Sequence, residues 1–256
     1  MHMKDCFDLT GKVAFITGAS SGLGAQFARA LAFRGADVVI LARRKDKLQA
    51  VADEVSSTFG HKALPIICDV TKKDQIENAV NEAIATFGKI DILINNAGVC
   101  DQIPTAEITE ESWHKVVDVN LEAVVFTTKY VVPHMMKQKS GRIISISSMY
   151  GLRASVTGPI AGYWASKGAI PQLTRGWAWE FAPYNITVNA IAPGFFMTEL
   201  MPGEESLYQD LADQLIPLKR IGHADEMDGL VTLLASDGAA YLTGQTIAID
   251  GGKTAI

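Results

Sequence analysis

Cysteine is scarce in this chain, which has only Cys6, Cys68 and Cys100 among its 256 residues. The number is odd and no two of them are spaced as C-x-x-C, so the sequence indicates neither a disulfide framework nor a zinc site. Because unpaired cysteines usually lie inside a protein, we expect three buried and inert thiols. The same scarcity favours the reducing cytoplasm as the location.

Long apolar runs are missing as well. No stretch reaches the roughly eighteen consecutive apolar residues that a membrane helix needs, so no membrane span is expected. Residues 1–12 carry Asp5 and Asp8 and contain no apolar segment of the kind found in signal peptides. The sequence therefore predicts neither a membrane anchor nor a secretory leader.

Positive charge is not in excess either. The 23 lysines and arginines are outnumbered by 28 acidic residues, for a net charge of −5. Such a surface offers no basic footprint to nucleic acid or to an anionic membrane, and neither is expected as a partner. What is present is ordinary globular composition, with 48% hydrophobic residues and enough apolar material for a sizeable core.

Strand and helix patterns alternate along the chain. Short apolar runs predict buried strands, and apolar residues at intervals of three and four predict amphipathic helices. The clearest helix is 71–87, with Thr71 expected as its N-cap and Gly88 as its C-cap. The predicted strands are 12–17, 37–41, 64–68, 90–95, 142–147, 186–191 and 246–250. The predicted helices are 23–34, 47–59, 71–87, 113–137, 161–181 and 224–234.

Repeated strand–helix–strand units predict an α/β fold. The sheet is expected to be parallel and doubly wound, as in a Rossmann fold, with helices on both faces in a three-layer αβα arrangement. No linker, repeat or low-complexity tract interrupts the pattern. Residues 1–256 are therefore expected to form a single domain.

A glycine-rich turn from Thr17 to Gly24 follows the first predicted strand and opens a helix, with the spacing G-x-x-x-G-x-G. Glycines let the backbone approach a pyrophosphate, while the helix N-terminus supplies N–H donors and positive dipole charge. Glycines also serve tight turns for purely structural reasons. The position after the first strand of an α/β pattern favours nucleotide binding.

Together with this turn, a series of further motifs resembles the short-chain dehydrogenase/reductase family nearly end to end. Any one of them is weak, but their order and spacing are specific. They are Asp69-Val70, Asn95-Asn96-Ala97-Gly98, Asn120, Ser148, Tyr163-x-x-x-Lys167, Pro193-Gly194 with Thr198, and Gly244-Gln245 followed by Asp250-Gly251-Gly252. The resemblance implies an oxidoreductase that moves a hydride between a nicotinamide cofactor and a carbonyl or secondary alcohol.

The resemblance also implies where the cofactor binds. It gives Asp69 a hydrogen bond to the adenine amino group and places Val70 beside the base, although Asp69 is equally placed to cap the next helix. No metal ligand is implied. The expected cofactor-binding residues are Gly18, Ser20, Ser21, Gly22, Leu23, Gly24, Arg43, Arg44, Asp69, Val70, Asn96, Ala97, Gly98, Tyr163, Lys167, Pro193, Gly194, Phe196 and Thr198.

The end of the second predicted strand favours NADP over NAD. An acidic residue there would bind the adenosine 2′-hydroxyl, whereas an arginine accommodates a 2′-phosphate. Here Arg43 and Arg44 follow Ala42 and no carboxylate is present, and a guanidinium can bind phosphate bidentately. Two solvated surface arginines are the alternative. Ser21 stands where NADP-preferring relatives often have a basic residue, and this one position therefore counts against NADP.

Tyr163 and Lys167 are four residues apart, which places them on one face of a helix. A free tyrosine has a pKa of about 10, too high for easy proton exchange at neutral pH. A nearby ammonium group, together with an oxidised nicotinamide ring, lowers that pKa and suits Tyr163 to general acid–base catalysis. An aromatic residue and a lysine on a helix surface are the alternative, because this spacing is common by chance.

Ser148 and Asn120 complete the catalytic set that the resemblance implies. Ser148 would hydrogen-bond the substrate oxygen. Ser145 and Ser147 are its rivals, and Gly151 three positions later favours Ser148. Asn120 would hold a water molecule that extends a proton relay from Lys167.

Two features depart from the family pattern. The segment from Ser148 to Tyr163 is longer than usual, and the extra residues lie inside 152–160. Because this segment is expected beside the substrate, the family pattern says less about which substrate is bound. Pro171 removes the N–H that would bond the Lys167 carbonyl, and an interior proline costs a helix about 3 kcal/mol. We expect a kink or a local widening just after the lysine.

The segment at about 195–215 is expected to be a mobile substrate lid, because binding loops vary most. Its Phe195, Phe196, Met197 and Met201 are apolar and its Glu204 and Glu205 are acidic, which argues against a large anionic carrier protein as substrate.

By resemblance, a sugar, polyol or sugar acid, as in gluconate 5-dehydrogenases, ranks above a 3-oxoacyl thioester, with a hydroxysteroid third. A non-catalytic NADP-binding regulator and an isomerase or lyase remain alternatives. A regulator would be expected to have lost the tyrosine, the lysine or the serine, and none is missing.

Aromatic residues predict an oligomer. Trp177, Trp179 and Phe181 give the helix 161–181 more aromatic surface than one core contact needs, and such surface usually marks an interface. Relatives are commonly tetramers that pair through this helix and its neighbour and through the last helix and strand. A closed homotetramer is therefore expected, with packing inside the monomer as the alternative.

Overall fold

The computed structural model describes residues 5–154, 158–199, 201 and 205–255. Within them, seven parallel strands form one sheet in the order β3-β2-β1-β4-β5-β6-β7. The fold is thus the doubly wound α/β fold that the sequence predicts. The strands are β1 (Val13–Thr17), β2 (Asp37–Ala42), β3 (Ala63–Ile67), β4 (Ile92–Asn95), β5 (Gly141–Ile146), β6 (Ile186–Pro193) and β7 (Thr246–Ile249).

Helices cover both faces of the sheet. They are α1 (Gly22–Phe33), α2 (Lys45–Phe59), α3 (Lys73–Phe87), α4 (Glu110–Val117), α5 (Ala123–Gln138), α6 (Ala161–Phe181), α7 (Gln209–Leu215) and α8 (Asp228–Ala235). A π-helical turn (Asp118–Glu122) joins α4 to α5. Short 3₁₀ turns lie at Thr105–Glu107, Met149–Gly151, Ala182–Tyr184, Glu205–Tyr208, Ala224–Met227 and Asp237–Ala239.

The core is divided into two layers by the pleat of the sheet. In β1, Ala14 and Ile16 pack with α1, α2 and α8, while Val13 and Phe15 face the opposite layer with α3, α5 and α6. Successive strand residues point to opposite faces, so a strand covered on both sides must be apolar throughout. This explains the continuous apolar runs in the sequence.

The strand order reverses at β1, which pairs with β2 on one side and with β4 on the other. In open α/β sheets, ligands bind in the crevice outside the carboxyl ends of the strands at such a switch point. The glycine-rich turn and the motif after β4 both lie at this edge. The topology alone therefore locates the candidate site.

Several predicted boundaries shift, and β4 begins at Ile92 rather than at residue 90, while α8 begins at Asp228 after a 3₁₀ turn rather than at residue 224. Helix α2 begins at Lys45 rather than at residue 47, and α3 begins at Lys73 with Lys72 as its N-cap. The expectation that Thr71 caps α3 is wrong, because its N–H and hydroxyl both bond the Asp69 carboxylate in a turn before the helix. The expected C-cap is confirmed, since Gly88 is left-handed with φ 75°.

The predicted helix 113–137 differs most from the structure. It begins at Glu110, where Thr109 forms a capping box, and it is interrupted by the π turn around Asn120. The buried Asn120 side chain exchanges two hydrogen bonds with the main chain of Val99 in the loop after β4. A tertiary contact therefore coincides with the widened turn, a position where π-bulges often mark functional sites.

Pro171 lies inside α6 without widening the helix. Helix α6 is α-helical without interruption from Ala161 to Phe181, so the expected local widening is not found. The Lys167 carbonyl, which loses its helical partner to the proline, accepts a hydrogen bond from the Ser147 hydroxyl at 2.8 Å. A side chain of the neighbouring strand end thus replaces the missing N–H.

The cysteines are not all buried. Cys68 is buried, and burial raises the pKa of its thiol to about 11, whereas Cys6 and Cys100 are exposed. The expectation of three buried thiols is wrong for those two, because both lie in loops rather than in elements covered by a helix layer. In the described part of the chain, no helix is long and apolar enough to cross a membrane.

Candidate active site

The glycine-rich turn is closed by contacts that leave no room for side chains. A Cβ on Gly24 would lie 2.4 Å from the Gly18 carbonyl oxygen, and Gly18 itself has φ +69°. The Asn96 side-chain amide donates to the carbonyls of Thr17 and Gly18, at 2.9 and 3.1 Å. The motif after β4 therefore holds the glycine-rich turn in place.

Thr17 is a site residue that the sequence reasoning missed. Its buried hydroxyl accepts hydrogen bonds from the main-chain N–H groups of Asn96 and Ala97, at 3.0 and 3.1 Å. These bonds join the ends of β1 and β4 at the switch point. A threonine directly before the first glycine of the turn was the available signal.

The turn has the features that a pyrophosphate needs. Helix α1, which is described throughout, has no acidic residue in its first turn, and the side chain of its N-cap residue, Ser21, accepts no hydrogen bond from the helix N–H groups. Its first N–H groups therefore have no competing side-chain acceptor there. Thr198, predicted as a cofactor contact from a distant part of the chain, lies against Gly22, whose added Cβ would be 3.5 Å from it. The residues present fit a dinucleotide.

Charged groups dominate the end of β2. Arg44 donates to the hydroxyls of Ser20 and Ser21, at 3.0 and 2.6 Å, and forms an ion pair with Glu199 at 2.7 Å. The positive charge of Arg43 acts on the Asp69 carboxyl. Burial alone would raise the pKa of Asp69, but hydrogen bonds from Thr71 and this charge hold it below its ordinary value.

Lys167 is hydrogen-bonded through its side-chain ammonium and through its main-chain carbonyl. Its ammonium donates to the Ile146 carbonyl at 2.7 Å, and its own carbonyl accepts from Ser147. A Cβ on Gly151 would lie 2.4 Å from the Lys167 oxygen and 2.6 Å from Ser147 Oγ, so glycine is required there. Lys167 is only 4% exposed, and the end of β5 fixes its position in α6.

The three candidate serines take different roles. Ser145 accepts a hydrogen bond of 3.4 Å from Asn95, and Ser147 bonds the Lys167 carbonyl. Ser148 hydrogen-bonds the Tyr163 hydroxyl. Geometry thus favours Ser148 as the serine that meets the predicted proton donor, as the sequence indicates.

Burial dominates the pKa of Tyr163 and of Lys167. Burial raises the pKa of its hydroxyl to about 12, against the opposing effect of the hydrogen bond with Ser148. Burial also lowers the pKa of the Lys167 ammonium to about 8. The ammonium lies 5.9 Å from the centre of the tyrosine ring. The protein surroundings thus disfavour the charged forms of both groups. The lowering of the Tyr163 pKa by Lys167 together with an oxidised nicotinamide ring stays a prediction.

Asn120 lies beside the same group. A Cβ on Gly98 would be 3.4 Å from Lys167 Nζ and 3.5 Å from Asn120 Oδ1, so the loop after β4 passes between the two side chains. The Asn120 amide also donates to the Ser166 hydroxyl at 3.3 Å. The four predicted catalytic residues are thus brought to one edge of the sheet.

Comparison with known proteins supports the resemblance seen in the motifs. A sequence model of the family described as short chain dehydrogenase matches residues 12–207. The chain belongs to the short-chain dehydrogenase/reductase family. It is an NAD(P)-dependent oxidoreductase that acts on alcohol and ketone groups of small molecules.

Individual relatives are similar over almost their whole length. A 3-oxoacyl-[acyl-carrier-protein] reductase of Thermotoga maritima is 39% identical over 247 residues, which are 95% of this chain and 98% of the relative. A short-chain type dehydrogenase/reductase from Mycobacterium marinum superposes with a TM-score of 0.93 at 40% identity, covering 98% of this chain and 99% of that one.

A third relative has been solved with bound molecules. The structure of a gluconate 5-dehydrogenase from Burkholderia cenocepacia in complex with NADP and tartrate has a TM-score of 0.92 and 36% identity. The match covers 98% of both chains. This short-chain dehydrogenase/reductase thus has relatives described with different substrates.

Some predicted cofactor contacts pack into the protein. The ring of Phe196 is buried and lies against Gly222, where an added Cβ would meet it at 2.7 Å. Leu23 and Val70 are partly buried against the two core layers. Gly194 packs on the end of β7, since a Cβ there would lie 2.6 Å from the Asp250 Cα.

The predicted lid contains its own small core. Phe195, Met197 and Met201 pack with α7 and with Ile216 and Ile221. Phe195 also contacts the Tyr150 ring edge to face, with the ring centres 6.0 Å apart. Residues 200 and 202–204, and with them the acidic Glu204, lie outside the described residues, as do residues 155–157 in the lengthened segment after Ser148.

Proposed function

We propose that this enzyme uses NADP to interconvert a ketone and a secondary alcohol on a small polar molecule, with a sugar, polyol or sugar acid as the substrate class. The observation that carries the chemistry is the contact between Ser148 and Tyr163 above the buried Lys167. When bound, the nicotinamide supplies or accepts the hydride.

The roles of the residues follow from their positions. Tyr163 exchanges a proton with the substrate oxygen, and Ser148 holds that oxygen within reach of the tyrosine hydroxyl. Lys167 places a positive charge beneath the ring and favours the tyrosinate when the proton leaves. Asn120 keeps the loop after β4 against this group and extends the proton relay through a water molecule.

NADP is supported by the end of β2. Arg43 and Arg44 stand where an acidic residue would bind the 2′-hydroxyl of NAD. The Burkholderia relative, described in complex with NADP, supports the same choice. A higher kcat/KM with NADH than with NADPH for the wild-type enzyme would contradict it.

Two substrate classes have support. The gluconate 5-dehydrogenase likeness favours a sugar acid, while the Thermotoga relative favours a 3-oxoacyl thioester as the second candidate. Oxidation of NADPH across ketoses, keto acids, acetoacetyl thioesters and ketosteroids separates them. We expect the highest kcat/KM on a ketose or keto acid, and a clear preference for the thioester would overturn this ranking.

We also propose a homotetramer, and the cytoplasmic location stays a prediction. Trp179 on α6 is 84% exposed, and Tyr241, between α8 and β7, is fully exposed, so each predicted interface carries an open aromatic ring. Trp177 and Phe181 do not, because their rings stack and pack inward, which corrects the expectation for those two. An active monomer in sedimentation equilibrium at assay concentration would refute the assembly.

A further inference from the structure

An anionic side chain already occupies the donors at the end of β2. The Glu199 carboxylate, in the segment after β6, accepts hydrogen bonds from Lys47 Nζ at 2.5 Å and from Ser21 Oγ at 2.7 Å. It also forms the ion pair with Arg44. Hydrogen bonds from Lys47, Ser21 and Arg44 lower the pKa of the Glu199 carboxyl to about 2, so it is charged at neutral pH.

These donors are ones that the 2′-phosphate of NADP would need. Arg44 is the second residue after β2 and also donates to Ser20 and Ser21 of the glycine-rich turn. A phosphate monoester carries about two negative charges and is bound by the same bidentate guanidinium geometry as a carboxylate. Glu199 takes Nη1 of Arg44, while Nη2 donates to Ser20 and Ser21. A phosphate bound to the same guanidinium would therefore lie beside this carboxylate, and two anions side by side repel each other.

We propose that Glu199 sets the cofactor selectivity of the enzyme by competing with the 2′-phosphate of NADP for Arg44 and Lys47. NADP must displace this carboxylate, whereas NAD, which has no 2′-phosphate, leaves it in place. Glu199 therefore weakens the preference for NADP that Arg43 and Arg44 create. The inference rests on the proposed use of NADP.

The size of the effect follows from exposure. The side chains of Arg44 and Glu199 are 46% and 47% exposed, so solvent screens their interaction. Exposed ion pairs contribute little to binding or stability one by one. Removing the carboxylate charge is expected to tighten NADPH binding by about three- to tenfold, with a smaller change as salt is added.

The test measures binding rather than turnover. Dissociation constants for NADPH and NADH are obtained by fluorescence titration of wild type and Glu199→Gln. Adenosine 2′,5′-bisphosphate and 5′-AMP are titrated by calorimetry as fragments with and without the 2′-phosphate. We expect tighter binding of NADPH and of the 2′,5′-bisphosphate, and unchanged binding of NADH and 5′-AMP.

Glu54→Gln is the matched control. Glu54 is 45% exposed and forms a similar pair with Arg29 at 2.8 Å, so its substitution removes one equal charge from the α1–α2 surface. We expect no change of the NADPH-to-NADH ratio in this variant. An equal change of this ratio in both variants would mean that the net charge of the protein, and not Glu199 itself, sets it. That result would overturn the proposal.

Three further outcomes test the proposal. Weaker NADPH binding in Glu199→Gln would show that the carboxylate organises Arg44 for the phosphate, which is the opposite of the proposal. In an Arg44→Ala background the effect of Glu199→Gln should largely vanish, and a persistent effect would contradict competition for Arg44. If wild type binds NADH more tightly than NADPH, the NADP proposal fails, while the direction of the Glu199 shift still judges this inference.

Discussion

At one end of the cofactor cleft, Lys167 is buried and held by the main chain and hydroxyl groups at the end of β5. At the other end, Arg44, Lys47 and Glu199 are exposed charges from separate elements that meet only through their side chains. The first end is positioned by packing and by hydrogen bonds that leave few alternatives. The second is held by Coulomb attraction, which water and salt weaken.

The two ends therefore suit different tasks. The buried end keeps the proton-transfer groups in fixed positions, and the exposed end can adjust the selectivity between two cofactors. Proton transfer requires heavy atoms within hydrogen-bond reach, so the groups around Tyr163 are embedded in strand and helix. Selectivity between two cofactors needs only a modest difference in binding free energy, which exposed charges can supply. Substitutions at the buried end should therefore change turnover and stability, and those at the exposed end should change selectivity.

The largest effect is expected at the buried end. Tyr163→Phe removes the hydroxyl that we propose exchanges the proton, and it should lower kcat by about 10²–10⁴-fold, with NADPH still bound. Steady-state kinetics with parallel fluorescence titration measure both quantities. Tyr184→Phe, in the turn after α6, is the control and should leave kcat unchanged. Near-normal turnover in Tyr163→Phe would break the assignment of this end to the chemistry.

At the charged end, Arg43→Asp should reverse selectivity without comparable loss of turnover. Loss of a charge-assisted hydrogen bond, worth about 1.5–3 kcal/mol, should raise KM for NADP about ten- to a hundredfold. KM for NAD should change little, and the ratio should depend on ionic strength. A parallel rise for both cofactors would mean that the two arginines do not distinguish them.

Ser147 and Pro171 test whether the buried end depends on hydrogen-bond satisfaction. Ser147→Ala leaves the Lys167 carbonyl without its partner, which should lower the free energy of unfolding by about 1–3 kcal/mol. Pro171→Ala restores the helical N–H, so the cost of Ser147→Ala should be much smaller in that background. Urea unfolding of the wild type, the two single variants and the double variant measures the coupling. Equal costs in both backgrounds would argue that the Ser147 hydroxyl does not stand in for the helical N–H that Pro171 lacks.

The smallest expected effect is a pH dependence of stability. The pKa of Lys167 is about 8 in the folded protein and near its ordinary 10.5 in the unfolded chain. Between these values the unfolded chain binds more protons, so this group makes the protein more stable as pH rises from 8 to 10. The slope is at most about 1.4 kcal/mol per pH unit.

Lys167→Met supplies the reference for that measurement. It keeps the length of the side chain and removes the titrating group. The buried Cys68 thiol, whose pKa is also shifted, adds the same pH dependence to the stability of both proteins. Unfolding free energies of wild type and variant are compared at several pH values from 8 to 10. A difference between them that stays flat would show that the lysine is not held in an environment that disfavours its charge.

Much of the fold could be predicted because it is written in short-range patterns. The period of the apolar residues identified α6 from Ala161 to Phe181, and the glycine spacing identified the turn after β1. The boundaries that shifted, such as the start of α3, depend on one side chain choosing between two nearby partners. The Asp69–Thr71 turn decided that choice.

The site was predictable only in its membership. Asn120, Ser148, Tyr163 and Lys167 could be named from motif order, but the π turn at Asn120 depends on Val99, and the partner of the Lys167 carbonyl is Ser147. A residue pattern does not state which distant group will satisfy a buried polar atom. That outcome requires the packed chain.

The strand and helix order and the glycine-rich turn after β1 could be predicted from the sequence, because they rest on local periodicity and motif spacing. The proposed catalytic set could be named as well, from the resemblance that its motifs carry. Only the tertiary structure decided that burial raises the pKa of Tyr163, and that Glu199 meets Arg44 at the cofactor end. Both depend on burial and on contacts between residues far apart in the chain, and neither quantity exists until the chain is folded.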